Sequence, residues 1–231
     1  MKQIGSEFEI KNCEHGPPTS YLRAGILKVQ LGNGKECWSM DSKKYVKAAV
    51  DVVWGLLVED GWELRTSKSK HEGPMPTNFE PALDTTPHYD EEYASRYRQI
   101  IGILRWAIEF GRIDILMEVS LLSQYQANPQ EGHLEALYWI VNYLHHYLMR
   151  RLIMNHTMAE IDELVFRHAD WTDFYGDIIK ENPPNMPVPL GNPVQMSRFI
   201  DADHVGNKIT RLSHTGVFIL LNNTPLVTFN K

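Results

Sequence analysis

Residues 96–154 constrain the fold more than any other stretch, because they read as three consecutive helices that each carry an apolar stripe. In the first, Tyr93, Tyr97, Ile100, Ile101, Leu104, Ala107 and Ile108 recur at the i, i+3, i+4, i+7 spacing of one helical face. Ile103, Trp106 and Phe110 fall on a neighbouring face, so this helix is expected to be covered on two sides. Gly111 suits its end, since glycine takes the left-handed C-cap conformation without a steric penalty. Asp114 is expected to cap the second helix, with Leu116, Val119 and Leu122 facing in. For the third, Asn128 as N-cap, Pro129 at the first helical position and Glu131 as the acidic half of a capping box predict the start. Leu134, Leu137, Tyr138, Val141, Leu144 and Leu148 then form its inward stripe. A compact helical unit with its own core follows from this periodicity, and no chemistry does.

The flanks differ in character. Gly32-Asn33-Gly34 between short apolar runs predicts a β-hairpin at 21–40 whose turn needs positive φ values. Asp41 is expected to cap a following helix with Tyr45, Ala49, Val52, Val53 and Leu56 inward and Gly61 at its end. Pro74, Pro76, Pro81 and Pro87 make 63–90 a linker or an extended wrap. After Met154 the pattern weakens: 158–166 allows a short helix, and 171–190 reads as an irregular connection. Phe199-Ile200, Gly216 to Leu221 and Leu226 to Phe229 read as three sequential strands, antiparallel because their connections are too short for crossovers. The expected fold class is α+β: a hairpin and a helical bundle followed by a partial antiparallel sheet. The expected divisions are 1–62, 63–90, 91–155, 156–195 and 196–231.

Composition sets outer bounds. The chain has 231 residues, 43% of them hydrophobic, enough for a sizeable core. A formal net charge of −6 argues against a dominant basic surface and hence against strong autonomous nucleic-acid binding. Cys13 and Cys37 cannot form a disulfide framework and read as reduced thiols of an intracellular protein, cytoplasmic or nuclear. No apolar run approaches the roughly 20 residues of a membrane helix, so no membrane partner is expected.

Three stretches, in this order, resemble the polyprotein of copia-type LTR retrotransposons: YRQIIGILRWAIEFGRIDILMEVSLLSQY at 97–125, NPQEGHLEALYWIVNYL at 128–144 and FIDADHVGNKITRLSHTG at 199–216. That family shows a tyrosine-arginine run, an arginine-proline-aspartate-isoleucine motif, a histidine-containing helix after a proline, and a strand ending aspartate-alanine-aspartate. The chain departs from the pattern at Arg23, Ile113, Leu134, His204 and Leu212. By this resemblance, 21–40 corresponds to the primer grip of a reverse transcriptase. Residues 41–150 correspond to its thumb and early connection, and 197–231 to the first strands of an RNase H domain, giving a thumb-like bundle and an RNase H-like sheet.

The resemblance implies RNA-directed DNA synthesis and hybrid cleavage in the parent enzyme, with magnesium as cofactor and an RNA or DNA template-primer as partner; protein partners stay unassigned. Both chemistries need several carboxylates around two metal ions. No Asp-Asp pair occurs in the sequence, and the palm that carries one in the family is expected upstream of the hairpin. Asp201 matches the family's first-strand catalytic and metal-ligating aspartate. The next carboxylate is expected on a helix beyond Lys231, so no cofactor is expected for this chain alone, and its standing as an enzyme is left open. Asp203 is expected to be structural. Lys43, Lys44 and Lys47, and the turn residues Thr210, Arg211, Ser213 and Thr215, are candidates for phosphate contacts, against the plainer reading of a solvated helix face and a polar turn. Trp38 either supports a primer terminus or packs on the next helix. The adjacent His145 and His146 point about 100° apart on a helix and are poorly placed to share an ion. Two further readings are a domesticated interaction module and a non-functional translated relic.

Overall fold

A computed structural model describes residues 16–17, 19–22, 24–59, 61, 73–158, 160, 172–176, 184–187, 191, 193–203, 207, 209, 211 and 213–230. The expected short helix at 158–166 and most of 171–190 lie outside these residues, as do His204, Thr210 and Leu212. The chain is α+β and divides into two units, Met1–Leu152 and Ile153–Lys231. Among the described residues no helix is long and apolar enough to cross a membrane.

The first unit begins with strands β1 (Ser20–Tyr21), β2 (Ala24–Gln30) and β3 (Glu36–Asp41). β2 and β3 form the expected hairpin, Gln30 opposite Glu36 and Gly25 opposite Asp41. Its turn differs in type from the expectation. Leu31 donates to the Lys35 carbonyl at 2.8 Å, leaving a three-residue loop in which Gly34 alone has positive φ, at 79°. That is the geometry of a type I turn closed by a left-handed glycine, and Asn33 instead accepts from the Lys35 amide. A short strand β4 (Leu152–Met154), where the chain passes between units, completes the order β1-β2-β3-β4.

Helix α1 (Lys43–Glu59) starts where Asp41 accepts from the Lys43 amide at 2.8 Å. Its inward face is rotated from the expected one. Val46, Ala49, Val50, Val53 and Leu57 are buried while Val52 is exposed, because the helix packs against α4 below and not against the hairpin alone. Gly61 ends it with φ 74°.

Helix α2 (Glu91–Glu109) keeps Tyr97, Ile100, Ile101, Leu104 and Ala107 buried, as the periodicity predicts. Its second face is only partly covered: Ile103 packs on the core, Phe110 is half-buried, and Trp106 is 57% exposed, stacked on Phe110. The helix closes in a Schellman motif, with Arg112 N donating to Ala107 O and Gly111 N to Ile108 O. Gly111 has φ 92°, and a Cβ there would sit 2.9 Å from that of Leu152. A 3-10 turn, Ile113–Ile115, leads into α3 (Leu116–Leu122). Asp114 does not cap α3; the cap position is Ile115, and the carboxylate turns to Arg112 instead.

Helix α4 (Glu131–His146) begins two residues later than expected. Gln130 takes that position, and His133 does what Glu131 was expected to do, its Nδ1 accepting from the Gln130 amide at 3.2 Å. The shift occurs because Pro129 is occupied: its carbonyl pairs with the Tyr89 amide in a bridge to the 73–90 segment. From Leu134 to Leu144 the buried positions are Leu134, Ala136, Leu137, Tyr138, Ile140, Val141, Asn142, Tyr143 and Leu144, far more than one stripe. The helix is the centre of the unit, contacted by α1, α2 and α3. Each of its buried leucines contributes about 1.5–3 kcal/mol through area removed from water.

The second unit contains a short helix α5 (Thr172–Tyr175) and the expected antiparallel meander, β5 (Met196–Ala202), β6 (Thr215–Leu221) and β7 (Thr224–Asn230), in the order β5-β6-β7. A bulge between Ile219 and Leu220 shifts the β6–β7 register beside Pro225, which has no amide to give.

Candidate functional site

Asp201 ends up near the tip of β5, exposed, opposite Gly216 of β6. Asp203 completes the ladder instead of adding to a site: its amide donates to the His214 carbonyl at 3.0 Å, and its carboxylate accepts the His214 amide. Arg211 and Ser213 are exposed in the β5–β6 connection; Arg211 has φ 62° and its backbone N–H donates to Asn207 O at 2.8 Å. Among the described residues no group of three or more histidine, cysteine, aspartate or glutamate side chains could hold a metal ion, around Asp201 or elsewhere. A ring of donors the sequence did not single out stands at the other end of this sheet. Asn222 donates to His156 O at 2.9 Å and accepts from the Gln195 amide, and Thr224 donates to Asn155 O at 2.8 Å. These bonds tie residues 155–157 to the β6–β7 turn.

In the first unit, Lys43, Lys44 and Lys47 are all exposed on the outer face of α1, with Asp51 exposed one turn further on. Trp38 lies in β3 opposite Lys28, whose ammonium sits 5.7 Å over the indole ring and 3.0 Å from Glu36. His145 and His146 have rings at 87° to each other, and the Trp54 ring approaches His145 edge-on at 5.5 Å.

Among the described residues of this unit, two clusters join buried charged or titratable side chains. One follows α2. Arg112, 1% exposed, donates from Nε and Nη2 to the two oxygens of Asp114, each at 2.9 Å. Tyr143 of α4 donates its hydroxyl to Asp114 Oδ2 at 3.0 Å and accepts from Arg150, whose guanidinium lies 4.3 Å over the Tyr147 ring. Burial pushes the Asp114 carboxyl up, but the hydrogen bond and charge of Arg112, with the Tyr143 hydroxyl, outweigh it and hold it below the usual range. The same burial, with Asp114 alongside, pushes the Tyr143 phenol up to about 12. Glu118 is pushed up by burial and by the Asp114 charge. Arg112 Nη1 has no partner in this network. Both oxygens of Asp114 are engaged and Arg112 is sealed from solvent, so the cluster is a clasp between α2 and α4.

The other lies at the start of α4. His133 is fully buried; with Nδ1 accepting from Gln130, its Nε2 carries the proton and donates to Pro81 O at 2.9 Å. Asp84 Oδ2 is 3.8 Å from the same nitrogen, buried, and without a hydrogen-bond partner. Burial lowers the imidazole's basicity more than the Pro81 carbonyl and Asp84 raise it, so the ring is neutral near pH 7. Around this pair the 73–90 segment is sewn to α4: Gln130 Nε2 donates to the carbonyls of Asp84 and Thr86, Gly132 N to Thr86 Oγ1, and Glu131 N to Pro87 O. An Asp–His pair can act as a general base, but here both imidazole nitrogens are occupied by main-chain groups, which makes the pair a fastener. Its sequence signal was a glycine and a histidine, Gly132-His133, in the first turn of a helix; the partner Asp84 lies 49 residues away in sequence and carries no such signal.

No family model, curated protein or solved structure matches the chain.

Proposed function

We propose that this chain is a segment of a copia-type LTR retrotransposon polyprotein, running from the primer grip and thumb of a reverse transcriptase into the first strands of its RNase H domain. In the parent it takes part in RNA-directed DNA synthesis and hybrid degradation; by itself it is catalytically silent, with at most weak nucleic-acid affinity. The observation that carries the reading is the order of the motifs. The tyrosine-arginine run lies on α2, Arg112-Ile113-Asp114-Ile115 on the turn after it, His133 on α4 and the aspartate-alanine-aspartate run on β5 and just beyond it. Ile113 occupies the first position of a 3-10 turn, where proline is also well suited, so this departure from the family pattern leaves the local conformation open to either residue.

Silence by itself is supported by the setting of Asp201, exposed on its strand and, among the described residues, not part of any group of three or more side chains that could hold a metal ion. Two-metal chemistry needs the ions' charge shared by several ligands, which one aspartate cannot do. Exposed Lys43, Lys44, Lys47, Arg211 and Ser213 are the residues through which template-primer contacts would run. Magnesium-dependent primer extension and RNA–DNA hybrid cleavage by the purified chain test the proposal. Background rates, unchanged in Asp201→Ala, are expected; turnover that Asp201→Ala removes overturns it.

A domesticated interaction module is the second reading, favoured by the apolar surface of the β5–β7 sheet, where Ile200, Val227 and Phe229 are 69%, 45% and 49% exposed. A reproducible protein partner whose capture survives Asp201→Ala distinguishes it.

A further inference from the structure

A groove of about 320 Å³ lies between the Pro76–Phe79 segment and α4, near the lower end of the size range of small-ligand sites. Its lining includes the aromatic residues Phe79 and Trp139, the apolar Pro76 and Ala136, and the polar Asn78 and Glu135. Among the described residues of the lining, Glu135 is the one charged side chain. Gly132 forms part of the wall. Behind that glycine stands a second carboxylate: a Cβ built on Gly132 would lie 2.3 Å from Asp84 Oδ2, the buried oxygen that has no hydrogen-bond partner. The neighbouring His133 spends its one N–H on Pro81 O at 2.9 Å and leaves Asp84 Oδ2 without a hydrogen bond. An apolar, aromatic-walled groove with one carboxylate in its lining and another just behind its wall is a negative site with π faces.

We propose that this groove binds an organic cation, an alkylated ammonium group, whose charge pairs with Glu135 and whose methyl groups lie against Phe79 and Trp139. Ring quadrupoles attract such cations, and an alkylated ammonium is cheaper to desolvate than a free one. Glu135 and Trp139 are one helical turn apart on α4, so the carboxylate and the indole flank the same ligand.

The test uses choline against 3,3-dimethylbutanol, its uncharged carbon isostere, titrated into the full chain at constant ionic strength. The readout is the Trp139 indole N–H resonance, assigned by its loss in Trp139→Phe. Choline is expected to give a saturable shift, with the alcohol about tenfold weaker or worse. Glu135→Gln, which preserves shape, is expected to weaken choline about tenfold, and Glu109→Gln at the exposed end of α2 to leave it unchanged. Equal affinity for choline and the alcohol, undiminished binding in Glu135→Gln, an equal loss in Glu109→Gln, or no saturable shift each overturns the proposal.

Discussion

At the scale of single residues, the start of α4 shows how little space a buried fastener leaves. Asp84 is pinned by the Thr86 amide at 2.9 Å, so its carboxylate cannot swing away from a methyl group added at Gly132. Gly132→Ala is expected to cost about 1–3 kcal/mol in urea denaturation, as overpacking does. Adding Asp84→Ala should return part of that loss, and strict additivity of the two changes would refute the clash. His133 makes a second expectation. Its folded-state basicity is depressed, so the unfolded chain binds the proton more tightly. Stability contributed by the neutral ring is therefore complete above the unfolded value, about 6.5, and is lost as pH falls below it. Denaturation midpoints at pH 7.5 and 5.5 should differ in that direction, and His133→Gln should shrink the difference.

Among elements, the clasp between α2 and α4 is the sensitive joint. Arg112 is buried and, among the described residues, ion-paired only to Asp114, so Asp114→Ala leaves an uncompensated guanidinium and is expected to cost about 3–5 kcal/mol. Arg112→Met with Asp114→Leu removes the charge as well and should recover most of the loss; a double variant as unstable as Asp114→Ala would mean the pair is not what is being broken. Asp114 also has a depressed carboxyl, so its contribution is present above the ordinary aspartate range and disappears as pH falls through the lower folded value. In the same joint, Gly111→Ala meets both a left-handed φ and the Leu152 side chain, and thermal unfolding should fall by several degrees.

For the whole molecule, the two units differ in how they hide apolar surface. The helical unit surrounds α4, whereas the β5–β7 sheet exposes Met196, Ile200, Val227 and Phe229. Arg198, Ile200, Val217, Ile219, Val227 and Phe229 share one face of that sheet by register, and Arg198 is the one polar residue among these six. Dye binding by anilinonaphthalene sulfonate should therefore be marked in the native chain and fall in Ile200→Lys with Phe229→Lys; equal dye binding in the variant would place the exposed surface elsewhere.

Local signals in the sequence determined a good deal of this protein. Periodicity marked α2, α4 and the β5–β7 meander, Gly111 and Gly61 marked two helix ends, and Gly34 marked the hairpin turn, because each depends on residues within a few positions of one another. What only the tertiary structure decided was which groups meet across the chain. Pro129 was drawn into a bridge with Tyr89, which moved the start of α4 to Gln130. Asp114 gave up the cap for Arg112 and Tyr143, and α1 rotated its buried face toward α4. Asp84 came to rest behind Gly132, and Phe79 and Trp139 came to line one groove. The reason is physical: a cap, a stripe or a turn is chosen by short-range sterics and hydrogen bonds, whereas a buried charge or a groove takes its partners from whichever segments the packed core brings alongside.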